Sequence, residues 1–205
     1  MFASHLQEIE NNLPLDAKYK NPKLGASAPI RVVNELFASV TVCSPGGAIC
    51  QTIDHVLVDT GSSGLRIIAS VLSPQLLGAL PQSTDPSGNA LAECAQFVDG
   101  YAWGPLRRAD IRLAGEVAGN TPVQVIGDPS FPAVPSGCSS SGPAENTVQA
   151  FGANGVLGIS VFAQDCGQAC VSQSNLGWYY SCPTTGCVST SVSLAQQLFP
   201  WLLLS

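Results

Sequence analysis

Eight cysteines constrain this chain of 205 residues more than any other feature: Cys43, Cys50, Cys94, Cys138, Cys166, Cys170, Cys182 and Cys187. An even count with short local spacings suits disulfides in an oxidising compartment. The spacings favour three local loops, Cys43–Cys50, Cys166–Cys170 and Cys182–Cys187, which leaves Cys94 for Cys138. The alternative is a zinc ion held by Cys166, Cys170, Cys182 and Cys187, although their separations are wider than the usual C-x2-C knuckle. The chain length suits one domain, or one lobe of something larger. With 20 glycines and 15 prolines, many turns and few long helices are expected.

Charge narrows the choice of partners. The net charge is −6, and every Lys and Arg lies at or before Arg112. Beyond it stand only the acids Glu116, Asp128, Glu145 and Asp165. A nucleic-acid groove needs clustered cations, so nucleic acid is excluded as a partner, and anionic membrane surfaces are disfavoured on the same ground. No stretch reaches the roughly 18 consecutive apolar residues of a membrane span. Residues 1–30 read as a polar, proline-dotted arm ahead of a body at 31–205. No signal peptide is visible, because Met1 to Pro14 lacks an apolar core of about 7–15 residues. Cysteine usage nevertheless implies an exported chain, periplasmic, cell-surface or secreted, and a trimmed or misplaced start reconciles the two readings.

Patterning predicts a mainly β fold with short helices. Val32–Val42 is strand-like, alternating over Ala38–Val42; strands are also expected at Ile53–Val58, Ala109–Leu113 and Thr121–Ile126, with an apolar run at Leu65–Ala69 and a buried strand or turn at Val156–Val161. Ser73 with Pro74 begins a short helix to Ala79, and a second helix is read over Ser191–Phe199, stopped by Pro200. Residues 165–189 form a cysteine-rich insertion.

The sharpest local sequence is His55-Val-Leu-Val-Asp-Thr-Gly-Ser-Ser-Gly-Leu-Arg66. An apolar strand runs directly into Asp59-Thr60-Gly61-Ser62. Gly61 lets the backbone turn, and the hydroxyls of Thr60 and Ser62 are able to hold the Asp59 carboxylate in one rotamer. A carboxylate fixed at the end of a rigid strand is what water-activating acid–base chemistry needs. The competing reading is a simple turn at a strand end, since all four residue types form turns.

Together with residues further along, this motif resembles the amino-terminal lobe of the pepsin-like aspartic peptidases. That family pairs Asp-Thr-Gly-Ser with an apolar-apolar-Gly element packed beneath the catalytic loop, and Val156-Leu157-Gly158 matches it. It also carries a β-hairpin flap with a tyrosine, which the region 95–108 and Tyr101, near Gly104, resemble. More narrowly, Val40 to Gln197 is similar to a bacterial pepsin-like domain family of unknown function found in predicted exported lipoproteins. The resemblance implies a single pepsin-type lobe with a disulfide-rich insertion. It implies peptide-bond hydrolysis with Asp59 as catalytic carboxylate, Ser62 bonded to its outer oxygen, and Tyr101 and Gly104 over the substrate, a peptide or protein. No cofactor or metal is implied.

The sequence departs from that pattern in two places. Only one Asp-Thr-Gly is present, whereas the reaction uses two aspartates sharing a proton. The second must then come from a homodimer partner or a missing second lobe, unless the domain is a non-catalytic secreted binding or surface module on the same lobe. Arg66 stands where the family usually has an apolar or aromatic residue. Other catalytic classes find little support. Gly61-Ser-Ser-Gly64 is not a G-x-S-x-G elbow, the sequence shows no triad pattern around His55, and an even cysteine count argues against a nucleophilic thiol. Trp178-Tyr-Tyr180 is expected to pack against disulfides, the alternative being that these residues and Trp103 line a binding cleft, and Arg107-Arg108 to be a solvated strand edge.

Overall fold

The computed structural model describes residues 36–199. The expected N-terminal arm and Pro200 lie outside the described residues. The chain is mainly β. Its strands are β1 (Phe37–Cys43), β2 (Cys50–Asp59), β3 (Ser63–Ile68), β4 (Ala90–Gln96), β5 (Tyr101–Leu113), β6 (Glu116–Ile126), β7 (Gly155–Ile159), β8 (Tyr179–Cys182) and β9 (Val188–Ser189). Four short helices punctuate them: α1 (Pro74–Ala79), α2 (Ser136–Ser139), α3 (Val148–Phe151) and α4 (Gln168–Ser172).

Six strands close on themselves in the order β1-β2-β7-β3-β6-β5, with β5 returning to β1 through Thr41↔Arg112 and Val42↔Ile111. The result is a β-barrel. Alternation along β1 sends Ala38, Val40 and Val42 inward, where they meet Ile53, Val56, Leu65, Ile67 and Ile111. Each Val, Leu or Ile among them contributes roughly 1.5–3 kcal/mol of burial. From β5 the sheet continues outward through β4, β8 and β9. This second layer holds its own cluster, in which Trp103 and Tyr180 meet edge to face at 5.2 Å beside Cys94 and Cys138.

All eight cysteines pair, as Cys43–Cys50, Cys94–Cys138, Cys166–Cys170 and Cys182–Cys187. The pairing is the one the spacings favoured. It removes the zinc alternative, because all four candidate ligands are consumed in disulfides. It also suits an oxidising, extracellular compartment. Among the described residues, no helix is long and apolar enough to cross a membrane.

Helix α1 starts as expected, with Ser73 Oγ accepting from the Leu76 N–H and Pro74 at the first position. The helix expected over Ser191–Phe199 does not form. Only a 3-10 turn, Leu194–Gln196, is present. The chain is instead pulled inward: Leu198 is fully buried and its N–H donates to Tyr179 Oη at 3.1 Å. Arg107 is not a solvated edge residue, because it donates to buried Asp128 at 3.0 Å.

Candidate active site

Strands β2 and β3 are joined by the tight turn Thr60–Ser62, yet they do not pair with each other. β7 lies between them, parallel to β2 and antiparallel to β3. Gly158 therefore faces Asp59 on one side and Gly64 on the other. This closeness requires a glycine: a Cβ at position 158 would fall 2.5 Å from Ser62 C and from Ser63 N. The Val156-Leu157-Gly158 element thus sits directly against the Asp59 turn. A second tie is the 2.5 Å hydrogen bond between the hydroxyls of Ser63 and Ser160.

The turn itself is short and self-bonded. Asp59 Oδ1 accepts from the Gly61 N–H at 2.8 Å. Asp59 is half-buried, whereas Thr60 and Gly61 are exposed. Ser62 Oγ is closed off from solvent and makes no hydrogen bond, so the Ser62–Asp59 bond that the resemblance implies is not formed here.

Asp59 opens onto a cleft of about 480 Å³, which Gly61 and Ser62 also line. The tip of the β4–β5 hairpin, Gln96 to Asp99, forms another wall. A third comes from Glu145 with Ala150 and Phe151 of α3. This wall is anchored by the Glu145 N–H donating to Tyr101 O at 2.8 Å, and by Phe151 meeting Phe97 edge-on at 5.8 Å. β4 and β5 form a hairpin whose turn lies at the cleft. Tyr101 and Gly104 are not at that turn. Tyr101 is buried in the cluster with Trp103 and Cys138. Gly104 is pressed against β6, where a Cβ would lie 1.9 Å from Val125 O. The side chains at the hairpin tip are Phe97 and Val98 instead. Trp178 also lines the cleft, whereas Tyr180 packs beside the Cys182–Cys187 bridge as expected.

Arg66 and Asp165 complete the cleft wall and belong to a buried polar cluster. Arg66 is 2 % exposed and donates to Glu93 at 2.6 Å, to Asp165 at 3.5 Å and to Ser63 O at 2.9 Å. Tyr179 Oη donates to Asp165 at 2.7 Å. Burial opposes the Arg66 charge, but Glu93 and Asp165 more than offset it, and its pKa is raised. Asp165 is held well above the ordinary carboxylate range, first by burial and then by Glu93, with Arg66 offsetting only part. Burial and the same carboxylates push the Tyr179 phenol well up. Glu145 is raised as well, by burial and then by Asp99.

This cluster escaped the sequence reading. Its signals were charges set within apolar runs, Leu65-Arg-Ile-Ile68 and Leu91-Ala-Glu-Cys94. Among the described residues no group of His, Cys, Asp and Glu is arranged to hold a metal ion.

Fold and site together define a disulfide-stapled β-barrel domain with a carboxylate-bearing turn facing a cleft. Residues 10–200 match the model of a family described as a protein of unknown function, DUF3443, and the chain belongs to that family. A comparison with curated proteins finds no match.

Proposed function

We propose that the barrel is a single pepsin-type lobe and that Asp59 is one carboxylate of an aspartic-peptidase site acting on peptides or proteins. The observation that carries this reading is the insertion of β7 between β2 and β3, with Gly158 directly against the Asp59 turn. It puts a carboxylate on a rigid support at the mouth of a cleft, with a hairpin tip across from it. In the reaction, one carboxylate takes a proton from water as its oxygen adds to the scissile carbonyl. A second, protonated carboxyl gives its proton to the carbonyl oxygen. Collapse of the tetrahedral adduct breaks the C–N bond, and the amine leaves with a proton.

The second carboxyl is supplied by a second lobe or a second copy of the chain. The sequence has a single Asp-Thr-Gly, and this also favours a second reading, a secreted binding domain on the same lobe. Incubation with an unfolded protein substrate between about pH 3 and 8 tests the peptidase reading, because a shared-proton carboxyl pair works only while one member is protonated. Internal cleavage that peaks in acid supports it. Cleavage that keeps rising above neutral pH overturns it.

A further inference from the structure

We infer that the cleft beside Asp59 selects an extended peptide bearing a lysine or arginine flanked by apolar residues. This rests on the reading of the cleft as a peptide site. Among the described residues, three carboxylates, from Asp59, Asp99 and Glu145, line the cleft besides Asp165, which is paired with the cleft's one cation, Arg66. That cation is already matched, because its guanidinium sits between Glu93 and Asp165. The cleft therefore carries unbalanced negative charge. Nothing on the rest of the chain's second half relieves it, since no Lys or Arg follows Arg112.

The rim is apolar. Val98 at the hairpin tip is fully exposed. Beyond the residues that line the cleft, Val161 and Phe162, which follow β7, are 84 % and 70 % exposed. Their loop is tied to the Asp59 turn, as the Ser160 N–H donates to Ser62 O at 2.9 Å and the Phe162 N–H to Ser160 Oγ at 3.2 Å. Trp178 adds a partly exposed indole on the wall. Exposed apolar side chains around an acidic cleft are complementary to a cationic residue with apolar neighbours. An acidic or purely polar peptide meets like charge and leaves the rim uncovered.

The test is calorimetric binding at pH 7 of three capped heptapeptides, Gly-Ala-Leu-Xaa-Phe-Ala-Gly with Xaa as Lys, Gln or Glu. The wild-type chain with disulfides intact is compared with Asp99→Asn/Glu145→Gln. The Lys peptide is expected to bind about fivefold tighter than the Gln peptide, the worth of one or two partly exposed charge pairs. The Glu peptide is expected to bind weakest, and the double variant to lose the Lys preference. Equal binding of Lys and Gln peptides, a preference for Glu, no binding of any peptide, or a Lys preference unchanged in the double variant each overturns the inference. Its failure is separable from that of the peptidase reading. A chain that binds the Lys peptide but never cuts fails only the latter, and one that cuts without basic preference fails only the former.

Discussion

Arg66 shows at the scale of one residue how position decides cost. It lies two residues beyond the Ser63–Gly64 corner, in a strand buried along its whole length. A lone buried guanidinium costs several kcal/mol, so its retention depends on the carboxylates of Glu93 and Asp165. Arg66→Met would leave those two acids buried without a cation. We expect a loss of about 3–5 kcal/mol in urea unfolding, the usual effect of breaking a buried pair from one side. A loss below about 1 kcal/mol, the size of an exposed pair, would contradict that account. Asp165 adds a pH signature. Because its folded pKa is raised, the folded chain holds this proton more tightly than the unfolded chain does. The resulting stabilisation is fully present below the ordinary carboxyl range and is lost as pH rises through the raised folded value. Urea midpoints should accordingly fall between acid and neutral pH, and Asp165→Asn should flatten that slope. An unchanged slope in the variant would count against the assignment. From sequence, Arg66 was legible only as a departure from a family pattern. Its partners lie 27 and 99 residues away, and no local pattern announces such a pairing.

At the scale of elements, β7 organises the site. Val56↔Gly155 through Asp59↔Gly158 aligns it with β2, and Ser63↔Ile159 through Ile67↔Gly155 aligns it with β3. Gly158→Ala forces a methyl group into the Ser62–Ser63 backbone. It should cost about 1–3 kcal/mol, as overpacking does, and displace the Asp59 turn. Thermal melts read the first effect, and any hydrolysis the second. Wild-type stability in the Gly158→Ala variant would show that the turn is not held by this contact. Strands were largely legible, because alternation along β1 and the apolar run of β2 are local signals. The β4–β5 hairpin does not place Tyr101 at its turn. Tyr101 marked the region, yet pairing of Gln96 with Tyr101 puts the turn at Phe97–Gly100. A one-step change of register carries a side chain from one face of a sheet to the other. The C-terminal helix failed for a different reason. Ser193 and Gln196 do close a capping box, but burial of Leu198 against Tyr179 takes the chain away after one turn.

For the whole molecule, the four disulfides act unequally. Cys94–Cys138 joins β4 to α2 across 44 residues, whereas the other three close loops of 4 to 7. In the chain-entropy account the long bridge is worth about 4 kcal/mol and each short one about 2. Cys94→Ala/Cys138→Ala should therefore destabilise more than Cys166→Ala/Cys170→Ala in urea melts. Equal losses would mean that native packing rather than loop closure sets their worth. The barrel's closure by β1 against β5 was not legible, since it depends on contacts some 70 residues apart. Legible at this scale were the disulfide pairing and the mainly β class, because cysteine spacing and strand periodicity need no knowledge of long-range contacts.

We propose peptidase chemistry for the Asp59 turn. It is tested most directly by hydrolysis of an unfolded protein substrate at about pH 4, where a shared-proton carboxyl pair is competent, comparing the wild-type chain with Asp59→Asn, disulfides intact. The account predicts internal cleavage by the wild type, with activity rising more than proportionally with chain concentration if the second carboxyl comes from another copy. In Asp59→Asn that cleavage should fall by at least about a hundredfold, the scale of losing a general acid–base group. Cleavage that persists undiminished in Asp59→Asn would contradict it.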